Sequence, residues 1–186
     1  MALPARKPTL ADYLAWEETQ EQRHEFYRGE FFARVGGRRI NGIVTLNLAG
    51  ALKSHLRGSG CRAFVESMKL QVADDAVFYP DVFVTCDARD LATEQIFRHP
   101  VLVAEVLSDS TQAFDRGLKF AAYRQLASLR EYLLVDPDTR RVEVFRRNER
   151  ELFELHDQTG ADALQLASVG LSLPMEELFE GLSAAD

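Results

Sequence analysis

Residues 101–107, VLVAEVL, form an apolar run with a single carboxylate inside it. A nearly continuous run of this kind is typical of a strand that is buried on both faces of a sheet. A buried carboxylate is costly unless it is paired or binds a metal. Glu105 therefore predicts a salt bridge to one of the 22 Lys and Arg residues, a position at the exposed end of the strand, or a metal site.

Helical and extended patterns alternate on both sides of this run. Apolar spacing and capping residues predict helices from Thr9 to about Arg23, over 40–56 and over 114–126, and a short helix that opens at Pro174. Strands are predicted at 26–32 (two, joined at Gly29), 64–72, 77–84, 101–107, 131–136 and 141–146. Pro80 interrupts 77–84 and should lie at a bulge, an edge or a strand start. The order predicts an α/β fold with a mixed central β-sheet flanked by helices.

Length and charge narrow the protein class. A chain of 186 residues fits one domain, 1–186. The net charge of −7 weighs against binding nucleic acid by bulk charge, although basic residues gathered on one face would still permit it. No signal peptide and no apolar run of about 20 residues is present, so we expect a soluble, cytoplasmic protein. Cys61 and Cys86 lack metal-site spacing and are predicted to be free thiols in a reducing compartment.

Asp81 is a second carboxylate in an apolar setting, between Pro80 and Val82. Two carboxylates on neighbouring strands can converge on one Mg²⁺, which typically takes one or two carboxylates together with water and phosphate oxygens. The alternative for Asp81 alone is a common Pro-Asp turn. The pair with Glu105 favours a metal site.

Lys119 is the third candidate. Asp115, Lys119 and Tyr123 share one face of the helix that follows the Glu105 strand. A lysine near the metal could orient the attacking water or stabilise the transition state. From spacing alone, a solvated helix lysine paired with Asp115 is the better explanation.

Four motifs carry a resemblance to a known family: YPDV (79–82), VAEVLSDST (103–111), FDRGLK (114–119) and EYLLVDP (131–137). In this order they resemble the Uma-two family, restriction-endonuclease-like proteins of the PD-(D/E)XK superfamily. The resemblance implies a restriction-endonuclease-like fold, with Pro80-Asp81 as the PD element and Glu105 as the second acid. Position 107 is Leu where the superfamily has Lys, and the resemblance places the lysine at Lys119. It also implies that the Val106 carbonyl completes a Mg²⁺ site, with Mn²⁺ as a substitute.

Other candidates are weaker. Glu25 and Glu30 could add a carboxylate, but helix-end and hairpin roles explain them as well. The Gly36-Gly37-Arg38-Arg39 loop could contact phosphate, but a solvated basic turn explains it better. Ser108, Ser110 and Thr111 are better explained as helix caps than as nucleophiles.

Three functions stay open. The first is a Mg²⁺-dependent nuclease in which Asp81 and Glu105 bind the metal and Lys119 assists, acting on nucleic acid, DNA more than RNA. The second is a catalytically inactive nuclease-fold module for binding or assembly, which the acidic pI and Leu107 favour. The third is a hydrolase of small phosphoesters on the same carboxylates. We expect a homodimer that does not interact with membranes.

Overall fold

The structure, a computed structural model, describes residues 6–34, 36–109 and 111–183. Its strands are β1 (His24–Tyr27), β2 (Glu30–Ala33), β3 (Arg62–Val65), β4 (Lys69–Ala73), β5 (Ala76–Phe78), β6 (Val82–Thr85), β7 (Ile96–Phe97), β8 (Pro100–Val106), β9 (Glu131–Asp136), β10 (Arg141–Arg147), β11 (Phe153–Asp157), β12 (Ala163–Leu166) and β13 (Leu171–Pro174). Its helices are α1 (Leu10–Glu17), α2 (Arg39–His55), α3 (Ala88–Leu91), α4 (Gln112–Phe114), α5 (Phe120–Tyr123) and α6 (Met175–Leu178), with a π-helical turn (Asp115–Lys119) that joins α4 to α5.

The predicted apolar strand lies inside a six-stranded sheet of order β11-β10-β9-β8-β6-β3. β8 pairs with β9 in parallel and with β6 antiparallel, so the sheet is mixed. Six of the seven β8 residues are buried, as a strand covered on both faces requires. The predicted α/β fold with a mixed central sheet is confirmed.

Alternation along the central strands divides the interior into two cores. Leu102 and Ala104 face a core formed with α2, the β12–β13 hairpin and α6. Val103 and Leu107 face the opposite core, which contains the α5 residues Ala122 and Tyr123. Side chains alternate with period two in a strand, so Glu105 points toward the helix that carries Lys119.

The prediction of one strand over 77–84 is wrong, because this segment forms two strands in different sheets. β5 ends at Phe78 in a five-stranded sheet of order β2-β1-β5-β4-β7, whereas β6 begins at Val82 in the central sheet. Pro80 lies in the corner between the two strands. The predicted strand at 64–72 likewise divides into β3 and β4, which belong to different sheets. Apolar residues continue on both sides of each corner, so the pattern alone could not show that the chain changes sheets.

Other elements match the prediction to different degrees. The 40–56 helix is confirmed as α2, and the β9–β10 hairpin is confirmed, as is the short helix at Met175. Gly29 closes the β1–β2 hairpin at φ 82° beside Arg28 at φ 50°, the double positive φ of a two-residue turn. The first helix ends at Glu17 instead of Arg23, because the Glu17 carboxylate accepts the His24 N–H at 2.9 Å and turns the chain into β1.

The helix that follows β8 is predicted as one regular segment, and the structure inserts a π-helical turn in its middle. Thr111 stands at the N-cap position of α4 but makes no capping hydrogen bond through its side chain; it contacts Ser108 instead, at 3.1 Å. Ser110, the third predicted cap, lies outside the described residues.

The prediction of free thiols is wrong: Cys61 and Cys86 form a disulfide. Cys61 precedes β3 and Cys86 follows β6, and these strands pair antiparallel with Arg62 opposite Thr85. The register therefore brings the two Cα atoms to 4.0 Å. Spacing along the sequence could not show this, because the partners are 25 residues apart and meet through strand pairing.

Among the residues that the structure describes, no helix has the length and apolar character needed to cross a membrane.

Candidate active site

The four residues predicted for the site, Asp81, Glu105, Val106 and Lys119, line one cleft of about 810 Å³. Strand register explains their convergence. Val82 of β6 lies opposite Ala104 of β8, so Asp81 stands just before β6 at the level of Glu105. Both carboxylates therefore meet at the same end of the central sheet.

The Asp81 carboxylate is held by two donors. The Val106 N–H donates to Oδ2 at 2.7 Å, and the Arg34 guanidinium donates to Oδ1 at 3.0 Å. Burial raises the pKa of Asp81, while the Val106 amide and Arg34 act in the opposite direction. Arg34 also donates to the backbone oxygen of Glu66 at 3.1 Å, which ties it across the cleft.

Lys119 lies between three carboxylates. Its Nζ atom is 2.9 Å from Glu25, 3.2 Å from Glu105 and 3.2 Å from Asp115. Lys119 is 5% exposed, so it is a buried cation and not the solvated helix lysine that spacing alone allowed. Burial lowers its pKa, but the surrounding carboxylates, Glu105 first, outweigh that effect and the pKa of Lys119 is raised.

Glu105 is the most deeply enclosed acid of the cleft. Its Oε1 atom accepts hydrogen bonds from Lys119 at 3.2 Å and from the Tyr123 hydroxyl at 3.1 Å. Burial raises the pKa of Glu105 well above its usual value, and Lys119 only partly offsets this. Asp115, Lys119 and Tyr123 do share one helix face, as the sequence predicted, and that face meets Glu105.

The π-helical turn shapes this helix face. Both Asp115 and Lys119, its first and last residues, are buried at the cleft. The Tyr132 hydroxyl donates to the backbone oxygen of Asp115 at 3.0 Å, which anchors the wider turn to β9. Single π-turns within α-helices are frequent at functional sites.

Glu25 and Arg34 complete the cluster. Glu25 reaches Lys119 from β1 and accepts the Tyr79 N–H at 3.1 Å, so the weaker candidate of the sequence belongs to the cleft. Glu30 is exposed on β2 and does not line it. A charged residue next to Phe26 in a short strand was a signal for Glu25. Arg34 follows β2, between Ala33 and Val35 in the sequence, and had no such signal.

The Gly36-Gly37-Arg38 segment lines the mouth of the cleft together with the start of α2. Arg38 pairs there with the Asp138 carboxylate and is itself exposed. This loop therefore adjoins the candidate site, and the two explanations considered for it, phosphate contact and solvated basic turn, both fit its place.

The cluster has an excess of acid over base. The carboxylates of Glu25, Asp81, Glu105 and Asp115 face two cations, Arg34 and Lys119. If all ionise, two negative charges are uncompensated in a buried site, which is unfavourable unless protons or a cation neutralise them.

The donor chemistry fits a hard divalent cation, because carboxylate and carbonyl oxygens are the ligands that Mg²⁺ prefers. In the described ranges no group of three or more His, Cys, Asp or Glu side chains is arranged so that it could hold a metal ion. Mg²⁺ does not need such a group, since it usually binds through one or two carboxylates and keeps several waters. The residues present therefore fit the metal that the resemblance implies.

Comparisons with known proteins agree with this fold. A family model described as "Uma2: Putative restriction endonuclease" matches residues 10–176. The uncharacterized protein slr1290 of Synechocystis sp. is 34% identical over 181 residues, which are 97% of this chain and 95% of that protein. The uncharacterized protein sll1609 of the same organism is 34% identical over 142 residues, 75% of this chain and 80% of that protein.

A solved structure is also similar. The crystal structure of a putative nuclease belonging to DUF820 from Anabaena variabilis superimposes with a TM-score of 0.78 at 20% sequence identity. The match covers 92% of this chain and 97% of that one. At this identity the likeness shows the restriction-endonuclease-like fold and nothing further.

Proposed function

The chain belongs to the Uma2 family, and from this membership and the geometry of its cleft we propose that it is a metal-dependent nuclease that hydrolyses phosphodiester bonds of nucleic acid. The observation that carries the proposal is the convergence of Asp81, Glu105 and Lys119, from three separate elements, on one cleft in which four carboxylates lie beside two ion-paired cations.

Asp81, Glu105 and the backbone oxygen of Val106 would hold the ion, Mg²⁺ or Mn²⁺. When bound, such an ion supplies a Lewis acid for a phosphoryl oxygen and lowers the pKa of a bound water. The cleft is open enough at about 810 Å³ for a substrate group to enter.

The chain's own residues have distinct tasks in this proposal. The Val106 amide and Arg34 fix the Asp81 carboxylate, and the Tyr123 hydroxyl fixes Oε1 of Glu105. Lys119, whose raised pKa keeps it cationic, places positive charge beside Glu105. A fixed cation in a buried site stabilises the negative charge that develops on a phosphodiester in its transition state.

Isothermal titration with Mn²⁺ tests the metal site. We expect the wild type to bind, and Asp81→Ala and Glu105→Ala to lose binding. Glu30→Ala is the matched control, because it removes an exposed carboxylate that lies outside the cleft. Equal binding by the wild type and both site variants would exclude this assignment. Cleavage of single- and double-stranded DNA and of RNA, with Mn²⁺, then tests the reaction.

A non-catalytic nuclease-fold module for binding or assembly is the second candidate. It is favoured by Lys119, whose ammonium already contacts three carboxylates, and by Leu107, which stands where the superfamily has lysine. Nucleic-acid binding that is unchanged in Asp81→Ala, together with no cleavage of any substrate, would favour this candidate over the enzyme.

Several finer expectations belong to the same proposal. We propose DNA more than RNA as the substrate, a cytoplasmic location, one domain over 1–186 and a homodimer. Competition between DNA and RNA of one sequence tests the first, fractionation of expressing cells the second, and limited proteolysis the third. Light scattering across a dilution series tests the homodimer.

A further inference from the structure

Asn41 makes an unusual set of contacts at the cleft. It lies in the first turn of α2, is 8% exposed and lines the cleft with Asp81 and Glu105. Its Nδ2 atom donates to the backbone oxygens of Val106 at 3.3 Å and of Leu107 at 2.8 Å. The nitrogen of the amide, and not its oxygen, therefore faces the end of β8.

The other half of the Asn41 amide is unsatisfied. Its Oδ1 atom is buried and has no hydrogen-bond partner among the described residues. A buried acceptor without a partner costs about 1–3 kcal/mol. Such groups are uncommon in native proteins, and a catalytic or ligand-related role is one of the established reasons for them.

The Val106 backbone is held from both sides. Its N–H donates to the Asp81 carboxylate at 2.7 Å, and its carbonyl oxygen accepts from Asn41 at 3.3 Å. Asn41 therefore sets the orientation of the segment that both fixes Asp81 and supplies the backbone oxygen of the proposed metal site.

We propose that Asn41 is a positioning residue of the metal site, acting through the backbone of Val106. This inference rests on the proposed function, because it assigns to Asn41 the support of the proposed ligands. Side chains that orient metal ligands typically change metal affinity by about 10- to 100-fold when they are replaced.

Three variants of the full chain test this role by Mn²⁺ titration calorimetry. Asn41→Leu removes the amide donor at similar size, and we expect its dissociation constant for Mn²⁺ to rise by about 10-fold or more. Asn41→His keeps one ring N–H near the position of Nδ2 and should remain within about threefold of the wild type, because one donor to the β8 carbonyls is retained. Thr45→Val, a buried substitution one turn along α2 in the same cleft, is the matched control and should bind as the wild type does.

The Val106 backbone amide resonance gives a second measurement without metal. We expect it to shift in Asn41→Leu and to stay near its wild-type position in Thr45→Val. Thermal unfolding of each variant establishes that it is folded, and Asn41→Ala, which also removes the amide donor, carries the test if Asn41→Leu does not fold.

The outcomes separate this inference from the proposed function. Wild-type affinity in folded Asn41→Leu, with binding lost in Asp81→Ala, would overturn the role of Asn41 and leave the metal site intact. Binding by folded Asn41→His as weak as that of Asp81→Ala would also overturn it. An absence of Mn²⁺ binding by the wild type would overturn the metal site and this inference together.

Discussion

Replacing Lys119 with Met should destabilise the protein strongly, because the substitution leaves three buried carboxylates without their shared cation. The ammonium is within 3.2 Å of Glu25, Glu105 and Asp115, and the lysine is 5% exposed, so solvent screens these contacts little. Removing one partner of a buried ion pair typically costs about 3–5 kcal/mol. With a urea slope of roughly 2 kcal/mol per M, a loss of about 4 kcal/mol lowers the unfolding midpoint by roughly 2 M.

The loss of stability in Lys119→Met should also depend on pH and should grow as the pH rises. The pKa of Glu105 is raised in the folded protein by burial, and removing Lys119 raises it further. A carboxylate whose pKa is raised on folding loses stability as the pH rises above its unfolded pKa, near 4.5. The difference in free energy of unfolding between wild type and Lys119→Met is therefore smallest near pH 4.5 and grows toward pH 8.

Urea unfolding followed by circular dichroism at pH 5 and pH 8 measures both effects. Lys53→Met is the control, because it removes an exposed lysine from the last turn of α2 and should cost less than about 1 kcal/mol. A loss below 1 kcal/mol in Lys119→Met at pH 8, or a loss that is the same at both pH values, would refute the buried network as described.

Three further predictions concern stability outside the cleft. Replacing Cys61 and Cys86 with Ser removes a disulfide between residues 25 apart in the sequence and should lower the free energy of unfolding by roughly 3 kcal/mol. In urea titrations, a reductant should lower the free energy of unfolding of the wild type by the same amount and leave that of the double variant unchanged. Glu131 is fully buried and accepts from Arg146 at 2.7 Å and from the Ser168 N–H at 2.8 Å, so Glu131→Gln should cost about 3 kcal/mol and speed hydrogen exchange in the β12–β13 hairpin. Unchanged exchange there would contradict the role of Glu131. A hydrogen bond from the Thr9 hydroxyl, chiefly, lowers the pKa of Asp12 to about 2. The stability that Asp12 contributes should therefore be present above about pH 4 and be lost as the pH falls to 2, and acid titrations of wild type and Asp12→Asn should converge in that interval.

Local patterns predicted the elements whose signals lie within one segment. β8 was evident from its apolar run, α2 from helical spacing, and the β9–β10 hairpin from two alternating strands around a turn. Only some of the contacts of Glu105 could be predicted. Helical spacing placed Lys119 on one helix face with Asp115 and Tyr123, but it did not show that Lys119 is buried.

The remaining features depend on contacts between distant segments. The chain passes from one sheet to the other at Pro80 and between β3 and β4, and apolar residues flank both corners. The disulfide between Cys61 and Cys86 follows from the β3–β6 register, which the sequence does not specify. Arg34 and Asp81 are 47 residues apart in the sequence, and no local pattern indicates that their side chains form a hydrogen bond. These features needed the assembled fold.

The position of the lysine shows how the fold constrains the site. Residue 107 has the same parity as Glu105 and points to the same side of the sheet, toward α5. In this chain Leu107 is 2% exposed and packs in the core beneath that helix, so a charged side chain there would lack access to water. Lys119 lies instead on the helix that covers this face, and its Nζ atom is 3.2 Å from Glu105. The π-helical turn that ends at Lys119 begins at Asp115, whose carboxylate is 3.2 Å from the Lys119 ammonium. Lys119 therefore contacts an additional carboxylate from its own helix. The Leu at position 107 is therefore compatible with the proposed site, because the helix packed against this sheet face supplies a lysine that β8 lacks.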